Sequence, residues 1–190
     1  MAKKKKKGSV SIIVKIILLA LAALMMVSIF TDLVTIKTEG EVTASVTGQD
    51  TFETMFEGHK TSLQDLADDE QAGKNALKLF ATQNDGEHKF ITVMLEICFV
   101  VAVIAGIGCL ILSLLNLLGI NLGFINKIFA LVFMLATLLT FIFALIVANV
   151  WQKETTSKLI EVNGMPGVGA WFALVCGLGY GATYIATSRK

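Results

Sequence analysis

Glu96 is the one acidic residue set well inside a long apolar run, flanked by Met94-Leu95 and Ile97-Cys98. A charge at the centre of a membrane span costs roughly 2.5–3.5 kcal/mol, so an ionisable group there marks an ion, proton or ligand site by default. Glu96 stands about two turns from the outer end of its run, at about 5.4 Å per turn. A structural contact near the interface is therefore the competing reading. The two histidines, His59 and His88, lie in the polar part of the chain near Glu57 and Glu87. Neither has the HxxxH or HxxEH spacing that a helical zinc site needs, so no metal is expected. Cys98, Cys109 and Cys176 all fall in apolar runs and form no CxxC pair, which reads as packing rather than a disulfide framework. No GxSxG, phosphate-binding glycine loop, HExxH or carboxylate pair is present. The expectation is a protein that is not an enzyme and holds no cofactor. Phe52, Met55 and Phe56 cluster with Glu53 and Glu57, either as a partner contact or as the core of a small domain.

The elements that carry these residues follow from hydropathy. Apolar residues are 55% of the 190, above the roughly 45–50% of soluble chains, and they sit in long uncharged runs. Four runs have the length of membrane spans: 12–33, 90–118, 124–151 and 167–187. The first follows Lys3, Lys4, Lys5, Lys6 and Lys7 in a basic tail, 1–11. It is longer than a signal-peptide core and has no good cleavage site, so it reads as a retained anchor. Lys15 falls near its inner end, where a lysine can snorkel, and Asp32 marks its outer end. A five-residue turn, 119–123, joins the second and third runs into a tight antiparallel pair. Both of these runs exceed what a bilayer requires, which predicts tilt or projection beyond it. Asn116, Asn121, Asn126 and Asn149 read as turn and cap residues.

Residues 34–89 are polar and mixed. Val34, Ile36 and Thr38, then Val42, Ala44 and Val46, alternate with polar residues around Glu39-Gly40-Glu41, which predicts a β-hairpin. Leu63, Leu66 and Ala67, then Ala76, Leu77, Leu79 and Phe80, have loosely helical spacing and predict one amphipathic helix broken near Gly73. Asn84-Asp85-Gly86 reads as a turn. An isolated hairpin is at best marginally stable, so the loop 152–166, with Leu159, Ile160 and Val162, is expected to add a strand. The fold expected is a membrane all-α bundle of four spans carrying a small cap with a β-sheet and an amphipathic helix.

Orientation follows from the basic ends. Lys3–Lys7 precede the first run, and Arg189 and Lys190 (in the tail 188–190) follow the last. Segment 34–89 carries five lysines against eleven acids. The positive-inside rule then puts both termini in the cytoplasm of a cell-membrane protein and the cap outside. The lysine run is also drawn to anionic inner-leaflet lipid, at about 1 kcal/mol per residue near the surface. Nucleic acid is not an expected partner. In the last run, Gly169, Ala173, Gly177 and Gly181 recur every four residues and line one ridge, widened by Gly179 and Ala182. Small residues let helices approach closely in lipid, either within the bundle or towards another subunit. Ala102 and Gly106 make a weaker pair in the second run.

This order of parts resembles the claudin and peripheral-myelin-protein class of four-span proteins. They share inner termini, a long strand-rich first outer segment, a tight inner turn and a shorter second outer segment. The resemblance covers nearly the whole chain as topology. The claudin W…GLW…C…C pattern has no counterpart, since residues 34–89 hold no tryptophan and no cysteine, and Trp151 and Trp171 stand elsewhere. No family residue carries over. The function expected is a structural, adhesion or interaction role through the outer cap, with a copy of itself or another membrane protein as partner. Two alternatives stand beside it: an accessory subunit of a transport, channel or secretion complex, docked by the glycine ridge, and a small transporter or ion-handling protein using Glu96.

Overall fold

A computed structural model describes residues 12–38, 41–58, 72–82, 88–120, 122–155 and 162–188. The order of elements is α1 (Ile12–Met25), a 3-10 segment (Met26–Phe30), β1 (Asp32–Thr38), β2 (Glu41–Thr47), α2 (Gly48–Glu57), α3 (Ala72–Thr82), α4 (Lys89–Leu117), α5 (Gly123–Thr155), β3 (Val162–Pro166) and α6 (Val168–Ser188). Four helices are long and apolar enough to cross a membrane: α1 with its 3-10 extension, α4, α5 and α6. Successive spans pack against each other, and α6 returns to α1, so the chain closes a four-helix ring.

The lengths are unequal, and this shapes the molecule. The 19 residues of α1 and its extension, and the 21 of α6, each measure about 31 Å, close to the roughly 30 Å of a hydrocarbon core. The 29 residues of α4 measure about 43 Å and the 33 of α5 about 50 Å. At one end the four helices finish level. Lys15 Nζ of α1 donates to the Asn116 carbonyl of α4 at 2.6 Å, and Tyr184 Oη of α6 donates to the Gly123 carbonyl of α5 at 3.2 Å. The excess of α4 and α5 therefore projects from the other end, and the cap is built around it. These are called the tail end and the cap end below.

At the tail end α4 stops in a Schellman turn. Gly119, at φ 91°, donates to Asn116 O at 3.2 Å, and the Ile120 amide donates to Leu115 O at 2.9 Å. At the cap end, β1 is the middle strand of a three-stranded antiparallel sheet ordered β2-β1-β3. Val34 pairs with Val46 and Ile36 with Ala44 on one side; Thr35 pairs with Met165 and Ile36 with Gly164 on the other. The hairpin forms as the alternation predicts, and the loop 152–166 supplies the third strand expected of it. Pro166 is tolerated because β3 is an edge strand. Of the third-strand residues expected, Val162 opens β3, while Leu159 and Ile160 lie outside the described residues.

One local expectation changes. The first span was read as helix to residue 33, but α1 ends at Met25. The chain tightens to 3-10 and then extends, so that Leu33 enters β1. Leu33, Val34, Thr35 and Ile36 are all buried, so β1 is covered on both faces. Helix α3 covers β2 on one side, while α5 and α6 lie against β1. Helix α3 starts at Ala72 with Gly73 in its first turn, and the upstream part of the expected helix, with Leu63, Leu66 and Ala67, falls outside the described residues, as do the turn Asn84-Asp85-Gly86 and Asn121. Cap and bundle share one hydrophobic core. It runs from Val46, Leu77 and Phe80 through Leu95 and Phe99 to Met25, Phe133 and Tyr180.

Candidate functional site

Helix α2 begins at a capping box. Asp50 N–H donates to Thr47 Oγ1 at 3.1 Å, and Thr47 N–H donates back to Asp50 Oδ2 at 2.8 Å. It ends at Gly58, whose φ of 85° few other residues adopt and whose amide donates to Thr54 O at 2.9 Å. Thr47-x-x-Asp50 followed by Gly58 is a start-and-stop signal that defines this helix in the sequence, although hydrophobic periodicity alone does not reveal it.

The burial of α2 is inverted. Gly48, Thr51 and Thr54 face inward and are buried. Both threonine hydroxyls are satisfied within the helix, Thr51 Oγ1 donating to Thr47 O at 2.9 Å and Thr54 Oγ1 to Asp50 O at 2.8 Å. Gly48 is required here, because a Cβ would stand 2.6 Å from the Ser28 carbonyl oxygen and 2.8 Å from Ile29 Cα. Its amide also donates to Thr31 O at 3.2 Å. These contacts place the start of α2 beside the last turn of the first span. The apolar residues point the other way. Phe52 is 38% exposed, Met55 37% and Phe56 70%, and the two rings meet tilted, with centroids 4.9 Å apart. The reading of this cluster as the cap's own core is therefore replaced by an outward face.

The flank of α2 is fixed by charge. Lys74 of α3, buried to 5% exposure, contacts Glu53 at 3.3 Å and Glu57 at 3.1 Å, and Lys78 reaches Glu57 at 3.2 Å. The hydrogen bonds from Lys74 and then Lys78 hold the Glu57 carboxyl below its ordinary value. Burial pulls the Lys74 ammonium down, but its bonds to Glu57 and Glu53 outweigh this and hold it above its ordinary value. The aromatic face is thus carried on a helix that is capped at both ends, packed on α4 and α3, and pinned by ion pairs.

The other candidates fall elsewhere. Glu96 lies on α4 near the cap end, one turn beyond Phe99, which meets Gly48. It is buried at 1% exposure, close to where α4 leaves the ring of four helices. His88 is buried in a three-ring stack, at 4.6 Å from Phe80, which lies 5.3 Å from Trp151. That stack ties α3 to the projecting ends of α4 and α5. His59 and Lys3–Lys7 lie outside the described residues. Among the described residues no three His, Cys, Asp or Glu side chains gather closely enough to hold a metal. The glycine ridge of α6 packs within the chain: Gly177 rests on the Thr137 side chain, Gly181 on Met134 and Gly169 on Thr31, and Ala173 is wholly buried. Gly179 turns towards Leu21 of α1, and Ala182 is exposed. Gly106 sits against Met26 and Phe133, with Ala102 buried above it. Cys98, Cys109 and Cys176 are free thiols. Asn149 Nδ2 bonds back to Leu145 O at 2.7 Å. Comparison with family models, with curated proteins and with solved structures finds no match to this chain.

Proposed function

We propose that this chain is a non-enzymatic scaffold of the cell membrane that binds a second membrane protein through α2. The observation that carries the reading is the outward face of Phe52, Met55 and Phe56 on a helix whose opposite face is buried and whose flank is held by ion pairs. Aromatic residues and methionine are enriched where proteins meet, and a rigid helix loses little freedom when a partner covers it. The partner is itself membrane-embedded, because α2 starts beside the last turn of the first span rather than at the top of the cap. The basic residues at both termini support an orientation with the tails in the cytoplasm and the cap outside. The partner is a second copy of this chain or a component of a transport, channel or secretion complex, and the same experiment distinguishes them.

The test is purification from cross-linked native membranes, comparing the natural chain with Phe52→Ser/Phe56→Ser. The reading expects a defined protein to accompany the natural chain and to be reduced at least tenfold with the double variant, at equal membrane insertion. Equal recovery with both chains would sink it. Ion handling by Glu96 is a separate proposal, and unchanged flux in Glu96→Gln would refute it.

A further inference from the structure

The tail end contains a small cavity that the reading above does not use. It is lined by side chains of all four spans, among them Lys15 of α1, Ser113 and Asn116 of α4, Asn126 of α5 and Tyr180 of α6. Asn126 is 4% exposed, and its Oδ1 is buried without a hydrogen-bond partner. A buried acceptor left unmade costs about 1–3 kcal/mol, so such an atom in a native bundle calls for a donor. The neighbouring groups are already engaged with one another. Ser113 Oγ and Tyr180 Oη lie 3.1 Å apart, Tyr180 Oη reaches Cys109 O at 3.4 Å, and Lys15 Nζ donates to Asn116 O at 2.6 Å.

We propose that this cavity binds a single water molecule, held jointly by the four spans. Its size sets the limit: about 10 Å³ is the lower bound of the roughly 10–15 Å³ that one water needs, and leaves no room for a larger ligand. Its chemistry selects water over an ion. The Lys15 ammonium opposes a cation, and the bare Asn126 oxygen opposes an anion. A water can do both jobs, donating to Asn126 Oδ1 and accepting one of the two ammonium protons that Lys15 does not give to Asn116. A second water proton remains for the Ser113 oxygen, if Ser113 donates to Tyr180 and Tyr180 to Cys109. That makes three bonds, the usual number for a buried water. The site also accounts for a lysine inside the first span, since its charge is met there by a helix carbonyl and a bound water.

The test is a crystal structure of the full chain grown in a lipidic mesophase, at a resolution that shows ordered water. The proposal expects one density peak within hydrogen-bonding distance of Asn126 Oδ1 in the natural chain, and loss of that peak in Asn126→Leu. No peak in the natural chain, with Lys15 Nζ or another protein donor directly on Asn126 Oδ1, would overturn it. So would a peak that gains anomalous signal when chloride is replaced by bromide, since that identifies an anion. The natural chain alone decides the matter if Asn126→Leu does not fold.

Discussion

The two ends of the bundle are built on different principles. At the tail end four helices stop level, the connection between α4 and α5 is a Schellman turn, and polar groups from every span meet around a small cavity. At the cap end α4 and α5 run on past their neighbours, and the chain folds a sheet and two short helices around them. Glycines there bring backbone against backbone. Gly164 of β3 rests on the Ala148 carbonyl of α5, Gly167 on the Asp32 carbonyl, and Gly48 on the Ser28 carbonyl. At these three glycines backbone meets backbone between cap and bundle, whereas the tail turn has open space around Gly119. The cap end should fail as a unit, and the tail end locally.

Four perturbations would break or sharpen that contrast, each read by hydrogen exchange at both ends in the same sample. The largest effect is expected for Phe80→Ala. This ring is wholly buried between His88 and Trp151, and emptying such a site costs about 3–5 kcal/mol. Protection should fall across β1, β2, α3 and the projecting ends of α4 and α5, and stay unchanged near Gly119. Gly164→Ala comes next. Its methyl group meets the Ala148 carbonyl, which cannot swing aside as a side chain can, for a cost of about 1–3 kcal/mol. It should loosen β3 and the end of α5 together. Gly119→Ala meets no neighbour but must hold a left-handed φ, which costs about 1 kcal/mol. Faster exchange confined to 115–120 is expected, and spread into the cap would contradict the contrast.

The smallest effect is acid loosening of the α2–α3 contact. Glu57 has its carboxyl held below the ordinary value of 4.5. Its contribution is therefore fully present above that pH and is lost as pH falls through the lower folded value. Lys74 is held above its ordinary 10.5, so its contribution persists below that pH and is lost only in stronger base. The protection of α2, taken relative to intrinsic exchange at each pH, should fall below about pH 4 in the natural chain, and Glu57→Gln should remove that fall. If the variant keeps it, another carboxyl is responsible.

The parts legible in the sequence are those with a strong period. The four spans, the hairpin pairing Val34 with Val46, and the four-residue spacing of Gly169, Ala173, Gly177 and Gly181 follow from composition and repeat. What escaped periodicity was decided by tertiary contacts. Met26 to Phe30 stay largely apolar, yet the chain leaves the α-helix there because Asp32 to Thr38 join a sheet that is complete only once β3 returns from the end of α5. Short apolar stretches carry no mark that separates helix from strand. Helix α2 has too few apolar residues for a period, and its start is written instead in Thr47 and Asp50. The direction in which Phe52 and Phe56 point was not readable, because the same spacing serves a core and a contact. Only the burial of Gly48, Thr51 and Thr54 decides it.

The central claim is that the α2 face meets protein. A photoreactive residue at Phe56, activated in native membranes, tests it directly, with the same group at Phe30, exposed on the first span, as a reference for lipid contact. The account predicts a discrete protein adduct from position 56 that is absent from position 30. Lipid adducts alone at both positions would contradict it, and would make α2 a helix that rests on the membrane surface.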